Sequence, residues 1–302
     1  MAGRAPCGPG PPLFFMGPSF KTVGSFSRGS AEPQNSGLEL EFAQFSDPGR
    51  VRGHNEDYLG YASPETPAQA RSHGWLFAVA DGVGGHDHGE VASRMAIETV
   101  IEGFQGAVAG EPHSSLLQRV IQAANIQVYE TGRGASPGGV AMATTIVACA
   151  LRFDRAAIAH VGDSRCYLVR RGQATLLTRD HTVVNDQVRL GVLSAKEAAE
   201  SERRHLLSRS LGNALFVGVE TSDHQIFAGD VLLLCSDGLH GPIANQEIAE
   251  MVTGSRDLSA AAAQLGALAN ERDGSDNISV QLIRVRDVER VGMYRGRPYK
   301  LR

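Results

Sequence analysis

The chain has 302 residues, 42% apolar, 21% charged and 6% aromatic, the proportions of an ordinary globular protein and not of a disordered chain or a membrane bundle. Its 29 Lys and Arg against 33 Asp and Glu give a net charge of −4, which leaves no broad positive field for nucleic acid or anionic lipid. Four cysteines, Cys7, Cys149, Cys166 and Cys235, are too few and too widely spaced for a disulfide scaffold or a Cys-rich zinc site, and fit a reducing cytoplasm. The apolar patch Leu13–Met16 is shorter than the core of a signal peptide, and no run approaches the ~18 residues that span a bilayer.

Residues 1–37 are rich in Gly, Pro and Ser and read as a disordered leader, with Met16 as a second candidate start. Leu38, Leu40 and Phe42 then alternate with acids, the pattern of a half-buried strand that opens the folded domain. Further strands are predicted at Tyr58–Tyr61, Trp75–Ala80, Thr145–Leu151, Ala156–Val161, Arg165–Val169, Ala174–Leu177, His224–Phe227, Val231–Cys235 and Ile278–Val285. Helical periodicity comes in pairs, Glu90–Ala107 with Ser114–Thr131 and Gln246–Val252 with Leu258–Arg272. Paired helices between runs of consecutive strands argue an α+β fold of antiparallel sheets covered on their outer faces, in one domain over 38–286.

The polar stretch 183–208 carries Ser194 and Glu197 at capping-box spacing and reads as a short helical insertion, made basic by Arg203, Arg204, His205 and Arg209. Residues 287–302 read as a solvated basic tail with Arg290, Arg295, Arg297, Lys300 and Arg302. No internal repeat, phosphate-binding P-loop or dinucleotide-binding glycine motif is present, which removes the main support for a nucleotide fold.

The informative feature is where the aspartates fall. The apolar run Trp75–Ala80 ends in Asp81-Gly82, Ala157–Val161 ends in Gly162-Asp163, Val231–Ser236 ends in Asp237-Gly238, and Asp276-Asn277 immediately precedes Ile278–Val285. One Asp-Gly is usually a turn. Carboxylates at the ends of several buried strands can instead converge, and they would repel one another in a low-dielectric cleft unless something positive sat among them. Hard divalent cations, Mg2+ or Mn2+, meet that need because they prefer carboxylate, carbonyl and water oxygens.

The segments Arg52-Gly-His-Asn-Glu56-Asp57, Asp81-Gly-Val-Gly-Gly-His86-Asp-His-Gly-Glu90, His160-Val-Gly-Asp163-Ser-Arg165, Leu177-Thr-Arg-Asp180-His181, Leu211-Gly212, Cys235-Ser-Asp237-Gly-Leu239 and Asp276-Asn277 occur in the order seen in the metal-dependent serine/threonine protein phosphatases. The chain thus resembles the PPM or type 2C family, in its bacterial branch, over about residues 45–285. The resemblance implies an antiparallel β-sandwich flanked on both faces by paired helices, with 183–208 as the family's flap. It also implies Asp81 bridging two Mn2+ or Mg2+ ions, Asp237 and Asp276 completing one site, the Gly82 carbonyl in the other, and Glu56 and Asp57 holding metal-bound waters. A third, weaker site in bacterial members would use Asp163 with Asp237, and Arg52 would grip the substrate phosphate through its planar guanidinium.

Two ions of this kind can activate water for direct attack on phosphorus, and His86, just after the metal-binding turn, is the candidate proton donor to the leaving group. The implied partners are phosphorylated proteins, substrates of a Ser/Thr kinase, met by a monomer. Two departures from the family pattern stand out: Ala143 replaces the usual glycine in Met142-Ala143-Thr144-Thr145, and Val83 stands where eukaryotic members carry a histidine. Competing readings are a hydrolase of small phosphate esters, a non-catalytic phosphoprotein-binding module, and a cysteine phosphatase built on Cys149 and Arg155, which satisfy a C-x5-R spacing in a stretch that reads as a strand end.

Overall fold

A computed structural model describes residues 37–83, 88–134, 142–294 and 297–300. All of the expected leader over 1–37 except Gly37, and the candidate His86, lie outside the described residues.

The chain begins with β1 (Leu38–Asp47), β2 (Tyr58–Ala62), helix α1 (Pro67–Ser72) and β3 (Trp75–Ala80). A short β4 (Gly82–Val83) and the helical pair α2 (Gly89–Gln105) and α3 (His113–Gly134) follow. Next come β5 (Ala143–Thr144), β6 (Ile146–Arg152), β7 (Arg155–Val161), β8 (Arg165–Arg170) and β9 (Gln173–Leu176). The insertion contains two helices, α4 (Val183–Arg189) and α5 (Ala195–Glu200), and leads to β10 (Glu220–Gln225) and β11 (Val231–Cys235). Helices α6 (Asp237–His240), α7 (Asn245–Gly254) and α8 (Leu258–Arg272) precede β12 (Ile278–Val288), and β13 (Val291–Tyr294) pairs with β14 (Arg297–Lys300).

Two five-stranded antiparallel sheets, β1-β12-β11-β8-β9 and β10-β7-β6-β3-β2, face each other. The period-two alternation of a strand sorts the side chains of β3 into two layers. Phe77 and Val79 join Val147, Ile158, Leu232 and Ile283 between the sheets, whereas Leu76 and Ala78 face Ile97, Val100, Leu117 and Ile121 of α2 and α3. On the other side, Leu233, Val280 and Leu282 pack on Ile248, Leu258 and Leu265 of α7 and α8. Strands buried on both faces carry continuous apolar runs, and each fully buried Leu or Phe contributes about 1.5–3 kcal/mol. The helix-facing positions Ala78, Ala148 and Ala159 are small, which lets α2 and α3 settle close to the sheet. The expected α+β sandwich with paired helices on both faces is the observed one.

Differences from the sequence reading have local causes. Helix α1 was not foreseen, although Thr66 and Gln69 form a reciprocal capping box with Pro67 at the first turn. Strand β10 begins at Glu220 and ends before Phe227: it is an edge strand that pairs only with β7, so polar residues serve in it. The predicted strand at Thr145–Leu151 starts one residue later, because Thr145 is drawn aside to bind Asp81. Strand β12 runs past 286 to Val288, and the stretch read as a tail contains the β13–β14 hairpin.

Candidate active site

The loops that end β3, β7 and β11 and the turn before β12 meet beside the segment preceding β2. There Asp81 lies within electrostatic reach of Asp57, Asp237, Asp163 and Asp276. Burial, then repulsion from these neighbours, pushes the Asp81 carboxyl well above the ordinary carboxylate range. Asp57 and Asp163 are both raised to about 7, each chiefly by burial and further by Asp237. Asp237 is raised as well, by burial and by repulsion from Asp276. Glu56 is raised by burial. Among the described residues, Asp57 Oδ1 and Asp237 Oδ1 are buried with no hydrogen-bond partner. Such a concentration of buried, underbonded carboxylates is what a cation site requires.

The segments that carry these carboxylates are tied down by side chains from elsewhere in the fold. Ser236 Oγ donates to Asp57 Oδ2 at 2.7 Å, while Asp57 N donates to Asn55 Oδ1 at 3.1 Å. Glu56 N donates to Asn277 Oδ1 at 2.8 Å, and Asn277 Nδ2 donates to the carbonyls of Pro48 and His54 at 2.9 and 3.0 Å. Asp81 N donates to Thr145 Oγ1 at 3.0 Å, and the Asp81 carbonyl accepts from Thr145 N and Thr144 Oγ1, both at 2.8 Å. Gly82 is buried in β4, where a Cβ would stand 2.5 Å from the Gly89 carbonyl and 2.8 Å from the Glu56 carbonyl, so glycine is required by close approach. Gly162, with φ +108°, turns the chain so that Asp163 leaves the end of β7, and the Asp163 carbonyl accepts from His240 Nε2 at 3.0 Å.

Arg52 stands at the rim, half-exposed, with Nη2 2.8 Å from Asp276 Oδ2. From the flap segment, His205 brings Nδ1 to 3.9 Å from Asp237 Oδ2. The sequence reading counted His205 only toward the charge of the flap. The supporting residues Asn55, Asn277, Ser236, Thr144 and Thr145 were given no role, since only long-range contacts reveal them. Ala143 is buried in β5 opposite Val83, and the short ladder is intact around it.

Beside the site, ligand atoms of His160, His181 and Glu220 lie within 4.8 Å of one another. They are already engaged: His160 Nε2 bonds the Arg179 carbonyl at 2.8 Å, His181 Nδ1 accepts from Gly162 N at 3.2 Å, and Glu220 Oε2 receives Arg179 Nη2 at 2.7 Å. The trio therefore buttresses the turn that carries Asp163. The cysteine alternative fails on geometry. Cys149 is fully buried in β6 with its thiol pushed up to about 12 by burial, and Arg155 opens the next strand, so no phosphate-cradling loop lies between them.

Comparison with known proteins agrees with this geometry. The family model described as protein phosphatase 2C matches residues 52–279. The chain is 36% identical over 257 residues to the serine/threonine phosphatase stp of Listeria innocua, covering 83% of this chain and 96% of that protein. The solved serine/threonine phosphatase of S. agalactiae superposes with a TM-score of 0.75 at 34% identity, covering 82% of this chain and all of that one. The catalytic domain of the phosphatase PstP, solved in complex with 2 manganese ions, gives a TM-score of 0.70 at 33% identity over 82% of this chain and 99% of that one. With the motifs, the sandwich and the acidic cluster in register, the chain belongs to the protein phosphatase 2C family.

Proposed function

We propose that the chain is a metal-dependent protein phosphatase that hydrolyses phosphoserine and phosphothreonine in proteins. The observation that carries this reading is the cluster of buried carboxylates with two partnerless oxygens, Asp57 Oδ1 and Asp237 Oδ1. An all-oxygen donor set suits hard divalent ions, and the manganese complex of a relative supports Mn2+ among them. Asp81, Asp237, Asp276 and the Gly82 carbonyl would hold two ions, Asp163 with Asp237 a third, and Glu56 and Asp57 would act through water. When bound, such ions acidify water toward neutrality and offset phosphoryl charge.

The protein's own groups do the rest. Arg52, on the exposed rim, offers a planar fork to two phosphoryl oxygens. Ser236 holds the Asp57 carboxylate, Asn277 tethers the backbone of Glu56, and the threonines beside Asp81 fix the backbone from which its carboxylate projects. His86 is the proposed proton donor to the departing serine or threonine oxygen. The cleft opens beside the flap, a setting for a phosphorylated segment of a protein substrate of a Ser/Thr kinase. No helix among the described residues is long and apolar enough to cross a membrane. We place the enzyme in the cytoplasm, a reading supported by its free, buried Cys149, Cys166 and Cys235, and take it to act as a monomer.

The test compares a phosphothreonine peptide with small metabolite phosphate esters under Mn2+. A higher kcat/KM on the peptide is expected. A strong preference for the metabolites would replace the protein-phosphatase reading with that of a small-ester hydrolase, and binding without turnover would leave only a phosphoprotein-binding module.

A further inference from the structure

Strand β9 is the edge of one sheet and β10 the edge of the other. Alongside them lies a cavity of about 600 Å³ lined by Arg170, Arg171, Gln173, Thr175, Leu176 and His224. It is remote from the acidic cluster: Arg165, at the catalytic end of β8, is five residues from Arg170, roughly 16 Å along a strand.

The charges around this cavity are unequal in availability. Arg170 is spent, with Nε and Nη2 on Asp230 at 2.8 and 2.7 Å and its guanidinium over the Phe227 ring at 4.7 Å. His224 bonds Ser222 Oγ at 2.9 Å, and burial holds its imidazole below the usual histidine range, partly opposed by the charge of Asp223 and aided by Arg170. Asp223 neighbours His224 in β10, but strand alternation turns its side chain to the opposite face. Arg171 has no hydrogen bond or ion pair among the described residues, so its guanidinium is the uncommitted charge of the cavity.

Arg171 is also held in an unfavourable backbone conformation. Arg170 and Gln173 close the β8–β9 hairpin around a two-residue loop in which Arg171 has φ +52° and Gly172 φ +74°. Such loops favour Asn or Gly at the position Arg171 occupies, because a longer side chain strains the left-handed conformation. Backbone strain of this kind recurs at ligand sites, and the exposed Arg171 guanidinium is free to meet a ligand.

We propose that this cavity binds a small organic anion, an apolar body resting on Leu168 and Leu177, which share the inner face of the sheet, with a carboxylate or phosphate group paired to Arg171. The volume lies within the range of about 300–1,000 Å³ typical of small-molecule sites, and a guanidinium fork matches both anionic groups. The site is independent of phosphate-ester hydrolysis, which takes place at the other end of β8.

Amide NMR of the Mg2+-loaded protein, titrated with 1-naphthoate, 1-naphthylphosphonate and uncharged 1-naphthamide, tests it. Saturable shifts at Arg171, Gln173 and Thr175 are expected for at least one anion, at least tenfold weaker for the amide. The tighter anion identifies the group recognised. Arg171→Gln should weaken anion binding at least tenfold with p-nitrophenyl phosphate hydrolysis unchanged, and Arg171→Gly should lose binding while raising Tm through relief of the strained φ. Absence of saturable shifts at these residues, equal binding of the amide, undiminished binding by Arg171→Gln, or a lower Tm for Arg171→Gly would overturn the proposal.

Discussion

Arg52 Nη2 donates to Asp276 Oδ2 at 2.8 Å, so the proposed phosphate-gripping arginine rests on a proposed metal ligand. The two roles would be complementary: Asp276, if it held a cation, would release the guanidinium, leaving Arg52 free for a substrate anion. Arg52→Ala should lower kcat/KM on a phosphothreonine peptide by roughly 10–150-fold, the span expected for about 1.5–3 kcal/mol of charged hydrogen bonding. Lysine at this position should recover only part of the loss, lacking the fork. Steady-state kinetics of the two variants checks this, and an Arg52→Ala enzyme of wild-type kcat/KM would remove Arg52 from phosphate binding.

Proton linkage gives a second expectation. Asp57 and Asp163 are both held at about 7, against an ordinary value of 3.8. The folded metal-free chain therefore binds more protons than the unfolded chain between about pH 4 and pH 7, and its stability falls as pH rises through that window. Calorimetry in chelator should show a higher Tm at pH 6 than at pH 8. Cations need deprotonated ligands, so Mn2+ should stabilise more at pH 8 than at pH 6. A metal-free Tm that instead increases from pH 6 to pH 8 would contradict the repulsion described for the cluster.

Asn277 accepts from Glu56 N and donates to two carbonyls, each contact joining segments far apart in sequence. Asn277→Ala would strand these buried groups, at a cost of about 2–4 kcal/mol if two go unsatisfied. Urea denaturation measures that loss. Calorimetric titration should also show weaker Mn2+ binding, because the segment bearing Glu56 and Asp57 loses its tether.

Gly82→Ala tests the close approach at the centre of the site. The added methyl would meet the Gly89 and Glu56 carbonyls at 2.5 and 2.8 Å, and forcing them apart should cost about 1–3 kcal/mol. Since Gly89 opens α2 against Glu56, the displacement should reduce turnover more than stability. Comparing kcat with the urea midpoint separates the two effects.

Much of this architecture is legible from residue order alone. Trp75–Ala80, Val231–Cys235 and Leu258–Arg272 fall where periodicity puts them, since strongly apolar or amphipathic stretches have one way to bury themselves. The aspartates at strand ends announce the cluster for the same reason: a buried strand fixes where its next residue emerges. Weak signals are lost where tertiary contacts decide. Edge strand β10 is built from Glu220, Thr221, Ser222, Asp223, His224 and Gln225, none of which reads as buried, and α1 is only one capped turn and a half long. Asn277, Ser236 and Thr145 look like ordinary polar residues until the fold carries them to Glu56, Asp57 and Asp81.

The most direct test strips the protein with EDTA and follows hydrolysis of a phosphothreonine peptide while Mn2+ is titrated back, with Asp237→Asn in parallel. Turnover should vanish in chelator, return with about two ions per chain, resist iodoacetamide because the described cysteines are buried, and fail to return in Asp237→Asn. Turnover that persists in chelator and is abolished by iodoacetamide would contradict the metal-dependent mechanism at its centre.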